Sequence, residues 1–401
     1  MLSITIVAQE NETILVGHLT YHTGPFGEFG PHFDGVTDFT LEIINENPPL
    51  GRNLIPIHED IGTIGEARAV RKLVLIDGVE ILLNPAHSYE LYRDWIQGVV
   101  TTTNHPIMPS VHGGAIERTI GGNSNEPLFR GSPMDSAQGV AAILQLQEAG
   151  LQNIVLISSE IEGHQLQRDV AVRVADELGI NIMEMINIQS ELPSYQTALS
   201  SLEGLNPDAI VVFSSAIDGG LIVRDLMNLN ISSEIIGTTE WQNSEFLNFA
   251  TQEAIDFHDS VLVASFVHQN NPAWDFYLQR WTTSDYADLA SPENSYNLQY
   301  YDLLIVTALA IEAAGTTEAS AWVEYMPIVS QEPGTIVYTY ADAIEALRRG
   351  EDINYSGISG EMIYNENGVV SALFGIFEWT STGELQLLNR LDGGRILELD
   401  S

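Results

Sequence analysis

Apolar residues in this chain come in short runs separated by longer stretches of helical period. Six runs, at 13–19, 54–58, 80–83, 153–157, 209–213 and 260–264, read as buried strands. Between them lie helical stretches closed by glycine. One covers 135–149 and stops at Gly150; another covers 164–178 and stops at Gly179. Asp135 or Ser136 suits the N-cap of the first, because a side-chain oxygen there can accept an orphan backbone N–H. Strand and helix in alternation predict an α/β fold, with parallel sheets covered by helices.

The C-terminal part changes character. "NSYNLQYYDLLIVTALAIEAAG" predicts a long apolar helix stopped by Gly315. A shorter helix follows over 340–349, with Arg348 and Arg349 at its negative C-terminal end. Beyond it, "ENG" and "STGE" punctuate β-rich runs, which predicts hairpin strands. No fixed-period repeat and no low-complexity linker interrupts the chain. Its 401 residues exceed what one hydrophobic core organises, so two domains are expected. Two domains without a linker imply that the chain crosses between them more than once.

Charge narrows the partners. There are 55 acidic residues against 15 basic ones, a formal net of -40, and Lys72 is the only lysine. Such a surface repels nucleic acid and anionic bilayers. The acids are dispersed rather than blocked, which fits solubility in a salty or exposed setting better than capture of a cationic partner. Without cysteine there is no disulfide, thiolate or thiolate-metal chemistry. No apolar run approaches the roughly 20 residues needed to span a bilayer. The N-terminal "MLSITIVAQENE" lacks the basic stretch and apolar core of a secretory signal.

The stretch "TGPFGEFGPHFDGVTDFTLEIINE" follows the first strand and opens a helix. Its glycines, Gly24, Gly27 and Gly30, are spaced G-x-x-G-x-x-G. That is not G-x-G-x-x-G, and no Lys-Ser/Thr follows, so a phosphate cradle has little support. Pro31 suits the first helical turn, and Phe33, Val36, Thr40 and Ile43 share a face. The loop is then either a plain strand-to-helix turn or one that brings Phe29 to the edge where open α/β sheets bind ligands.

Taken in order, "ILVGHLTYHTGPFGEFGPHFDGVTDFTLEIINE", "LGRNLIPIHED", "LFRGSPMDSAQGVAAI", "NIVLISSEIEG", "NPDAIVVFSS", "YNLQYYDLLIVTALAIEAAG" and "YSGISGEMIYNENGVV" resemble the leucine/isoleucine/valine-binding family of type I periplasmic binding proteins. These are solute receptors of ABC importers. The "FR-x-x-P-x-D-x-x-QG" and "Y-x-G-x-x-G" pieces carry most of the likeness, which runs from about Ile14 to Trp379. It implies two Rossmann-like lobes with central parallel sheets, joined by a three-segment hinge. Lobe one would be 1–130 and 265–355, lobe two 131–264 and 356–401, with a small-molecule ligand held between them. It also implies a non-enzymatic, monomeric receptor, periplasmic or extracellular, lipid-anchored if a longer precursor carries the signal. Its partner would be an ABC transporter permease.

Candidate site residues follow from that resemblance, position by position. Phe29 matches the aromatic that packs on the ligand. Ser88, with His87 beside it, matches the serine that holds the ligand carboxylate. Ser110 and His112 fall in the turn after the fourth strand, where His112 replaces a threonine. Glu162 stands where a lobe-two tyrosine is usual, Ser215 or Ala216 replaces a second aromatic, and Glu240 matches the acid that pairs an ammonium. The added acids and lost aromatics favour a small polar solute, an amino acid or a cationic, amine- or amide-like compound, over an ordinary branched-chain amino acid, since unpaired carboxylates in a closed cleft are costly. Asp218 reads as a surface acid.

His22, His87 and His112 would lie near strand ends of lobe one. None sits at a recognised metal spacing, so hydrogen bonding to ligand is the better reading, and no metal or cofactor is expected. No G-x-S-x-G occurs, and no nucleophilic triad has a local signature. The aromatic "SYNLQYYDLL" reads as core. Two other function classes stand beside the importer receptor: a sensory module of the same fold, and an α/β hydrolase or dehydrogenase.

Overall fold

Alternating apolar runs become two separate sheets. A computed structural model of the protein describes residues 13–24, 26–86, 88–99, 105–370 and 373–400. Strands β1 (Thr13–Thr20), β2 (Asn53–Asp60) and β3 (Ile81–Leu83) form one parallel sheet in the order β2-β1-β3. The parallel pair β4 (Met108–Ser110) and β5 (Leu128–Arg130) continues it. An Ile81–Ile107 bridge and the 2.8 Å bond from Leu82 N–H to the Ile107 carbonyl make that join.

The second sheet has seven strands. Its parallel part runs through β6 (Asn153–Ser159), β7 (Asn181–Ile188), β8 (Ala209–Phe213), β9 (Glu234–Gly237) and β10 (Ser260–Phe266). The small group β11 (Thr335–Val337), β12 (Ile353–Gly357) and β13 (Gly360–Glu361) packs back on the first sheet's core. Then β14 (Phe374–Trp379) adds antiparallel to β10 and β15 (Leu385–Leu391) antiparallel to β14, closing the order β15-β14-β10-β9-β8-β6-β7. The "STGE" turn is the β14–β15 hairpin, and "ENG" turns beneath a Tyr364–Val370 bridge.

Sheet membership changes three times, after Arg130, after Phe266 and after Glu361. Strand β10 therefore extends two residues past position 264, and β12–β13 remain packed with the first sheet's core beyond 355.

Each sheet carries apolar packing on both faces. The helices Gly30–Asn45 and Ser295–Ala314 cover one face of the first sheet, with Phe33, Val36, Leu304 and Ile311 fully or nearly buried. Tyr89, Tyr92 and Ile96 lie with Val70 and Leu73 in a separate cluster on the other. Helices Ser136–Ala149 and Glu162–Leu178 join one core of the second sheet; Ala216–Asn228 joins the other. Each fully buried aliphatic or aromatic side chain contributes about 1.5–3 kcal/mol by leaving water.

Some local expectations change. Strand β7 escapes the hydrophobic pattern because it is an edge strand of alternating exposed and half-buried residues. Asp135 precedes the helix Ser136–Ala149 but makes no side-chain cap bond to it. Asp218 is not at the surface: it is 2% exposed, and its carboxylate accepts from the Tyr195 hydroxyl at 2.5 Å and from Glu191 N–H at 3.1 Å. Those donors offset part of the cost of burial at Oδ1, while Oδ2 is buried without a hydrogen-bond partner. No single helix among the described residues is long and apolar enough to cross a membrane.

Candidate functional site

The end of β1 meets the start of the helix Gly30–Asn45 at a close backbone approach. A Cβ on Gly30 would stand 2.1 Å from the Tyr21 carbonyl oxygen, so only glycine fits. This fixes the loop and sets Phe29, 3% exposed, against Phe33 in a stack with centroids 5.3 Å apart. Tyr296, in the first turn of Ser295–Ala314, meets both rings edge-on. Tyr21, Phe26 and His112 complete an aromatic wall.

Across from it lies the second sheet. Trp241 is fully buried, stacked on Phe246 at 4.5 Å. Its indole occupies the space that a Cβ on Gly219 or Gly237 would fill. The turn Thr239–Gln242 is thereby pinned, and Thr239 N–H also donates to Gln138 Oε1 at 3.1 Å. Glu240 projects from this turn to His164, Oε2 to Nε2 2.7 Å. His164 itself sits in the first turn of Glu162–Leu178, 1% exposed, with Nδ1 2.6 Å from Ser159 Oγ. Burial alone would lower its pKa; the adjacent Glu240 carboxylate outweighs that and holds it above the usual 6.5.

These two walls enclose one cavity, about 720 Å³ including its mouth. Lobe one supplies Tyr21, Phe26, Phe29, Phe33, Val111, His112, Tyr296 and Gln299. The second sheet and its helices supply Asp135, Gln138, Ile161, Gly163, His164, Gln167, Thr239 and Glu240, while Ser132 and Phe266 come from where the chain passes between sheets. No lysine or arginine is among these residues.

Of the residues singled out from sequence, Phe29, His112 and Glu240 line the cavity. Ser110 does not: it is fully buried and its hydroxyl donates to the Pro85 carbonyl at 2.5 Å. Ser88 is half-buried, in a loop that Glu66 holds through the N–H groups of Ala86 and Ser88. Glu162 is exposed as the first residue of its helix, and the inward position belongs to His164 two residues on. Ser215 caps Ala216–Asn228 by accepting from Asp218 N–H, and it lines a neighbouring groove with Glu28 and Ile161. His87 lies outside the described residues. His22 is not in the wall; its Nε2 is 2.7 Å from Asp34 Oδ2.

Sequence reasoning missed His164, Tyr296, Asp135 and Gln138. Asp135 and Gln138 lie inside the "P-x-D-x-x-QG" motif, which was a usable signal. Tyr296 belongs to a helix read wholly as core; Tyr300 and Tyr301 are core, but the first turn reaches the cavity.

The model of the receptor family ligand binding region matches residues 97–382. The chain belongs to that family. No curated protein matches it by sequence. As a member of the receptor-family ligand-binding region it has close relatives in shape. A leucine binding protein, LivK, from Thermotoga maritima superposes with a TM-score of 0.75 at 17% identity, covering 96% of this chain and 100% of the other. LivJ from Streptococcus pneumoniae, in complex with isoleucine, gives 0.73 at 16%, covering 94% and 100%. A solute binding protein of R. palustris, in complex with benzoate, gives 0.71 at 15%, covering 94% and 96%. The fold is thus that of type I periplasmic binding proteins, two α/β lobes with parallel-strand sheets.

Proposed function

We propose that this chain is an extracytoplasmic receptor that captures a small amine-bearing solute between its lobes and delivers it to an ABC importer permease. The observation that carries this is the composition of one cavity: an aromatic wall from one lobe faces Glu240, Asp135 and His164 from the other. A ligand touching both walls binds the closed form better than the open form, and hinge closure follows as a population shift.

The chemistry points to an amine with an apolar body. The aromatic faces offer apolar contact and cation–π attraction. Glu240 offers the anion that an ammonium would pair. A simple carboxylate would find two histidines but no lysine or arginine. The similar structures hold leucine-type amino acids or benzoate, which brackets the expected ligand size. With Ser88 outside the cavity wall, the usual carboxylate grip of an aliphatic amino acid is weakened, so leucine, isoleucine and valine should stabilise the protein little.

A thermal-shift screen across amino acids, amines, amides and small carboxylates tests this, since a ligand of the folded state raises the melting temperature. Aromatic or bulky amines should give the largest shifts. A large shift with leucine, or with benzoate alone, would remove the amine reading.

A further inference from the structure

Tyr300 joins the cleft wall to a second polar cluster. Its hydroxyl lies 2.8 Å from His112 Nε2 on the cavity side and 3.3 Å from His18 Nε2 on the other. His18 on β1 and His58 on β2 are direct partners across the parallel pair, so both rings leave the same face of the sheet. The helix Gly30–Asn45 brings Asp34 and Asp38, one turn apart, over the two rings.

The atoms converge closely. His18 Nδ1 and His58 Nδ1 are 2.9 Å apart, and Asp34 Oδ1 is 3.5 Å from the first and 3.3 Å from the second. Three donors at metal bonds of roughly 2.0–2.2 Å in a tetrahedron would be about 3.3–3.6 Å from one another. Two edges of the triangle match, and the third needs only a small opening.

Each converging group is also held from behind. His58 Nε2 pairs with Asp38 Oδ1 at 3.1 Å, which fixes the ring with Nδ1 turned toward His18 Nδ1 and Asp34 Oδ1. Asp34 Oδ2 pairs with His22 Nε2 at 2.7 Å. A hydrogen-bond network alone accounts poorly for the remaining atom: Asp34 Oδ1 is buried, faces two ring nitrogens and has no hydrogen-bond partner. One cation would satisfy all three atoms together. His18 is fully buried, while Asp34 and His58 keep 19% and 25% of their side chains exposed, which leaves a way in.

We propose that His18 Nδ1, His58 Nδ1 and Asp34 Oδ1 bind one divalent transition cation of the zinc type, with a fourth position for water. Two imidazoles and one carboxylate suit such an ion better than calcium or magnesium, which prefer all-oxygen sites. The site is separate from the solute cavity and linked to it through Tyr300.

Cobalt(II) chloride added to the chelator-treated full chain tests this, because four-coordinate cobalt absorbs visibly and surface carboxylates do not produce that spectrum. The expected result is a band that saturates at one equivalent and is displaced by zinc. His58→Ala and Asp34→Asn should each weaken binding roughly tenfold or more, while Glu162→Gln, exposed elsewhere, leaves it unchanged. Melting curves without metal verify that both variants fold. Absence of the band, or equal affinity in wild type and both folded variants, overturns the proposal.

Discussion

The two walls of the cleft are built on opposite principles. The lobe-one wall is part of a hydrophobic core: Phe29 and Phe33 are 3% and 2% exposed and belong to the same cluster as the long helix Ser295–Ala314. The opposite wall is polar, and its key groups are held by specific bonds, His164 by Ser159 and Glu240, and Thr239 by Gln138. Under the proposed function, one wall would couple binding to stability, whereas the other would tune binding with less effect on the fold.

The largest expected effect breaks this contrast from the aromatic side. Phe29→Ala removes a core ring and should destabilise the protein by about 3–5 kcal/mol, measured by denaturant unfolding. A loss below 1 kcal/mol would mean that the ring belongs to the ligand surface rather than to the core. Next is Glu240→Gln, which keeps the shape of the polar wall but removes its charge. It should weaken an amine ligand by about 2–3 kcal/mol, read by calorimetric titration, because a buried ammonium would lose its partner. Unchanged affinity would place the ammonium elsewhere.

A smaller effect concerns pH. With its folded pKa above 6.5, His164 binds its proton more tightly in the folded than in the unfolded state. Its contribution to stability is therefore fully present below pH 6.5 and is lost as pH rises through the folded value. Wild type should exceed His164→Gln in melting temperature by more in mildly acidic than in alkaline buffer. The opposite trend would mean that His164 is buried neutral. Smallest is Glu162→Gln: exposed at the start of its helix, it should change affinity by less than about 0.5 kcal/mol.

Why the two walls differed in legibility follows from the same contrast. Apolar periodicity and glycine stops locate the strands and the long helices, and Phe29 follows from its place after β1. The polar wall depends on contacts across 76 residues, as between His164 and Glu240, which no local pattern encodes. The exposed Glu162 was the nearer acid in sequence, but helical geometry turned it outward and His164 inward. Likewise His18 and His58 stand 40 residues apart and meet only because β1 and β2 pair in register.

The central claim is that the cleft recognises an amine through Glu240 against the aromatic wall. Its most direct test is a paired titration of the wild-type chain with the strongest amine from the thermal screen and with that compound's deaminated analogue. The account predicts that the amine binds at least about tenfold more tightly, a difference of about 1.4 kcal/mol. Equal or tighter binding of the deaminated analogue would contradict it.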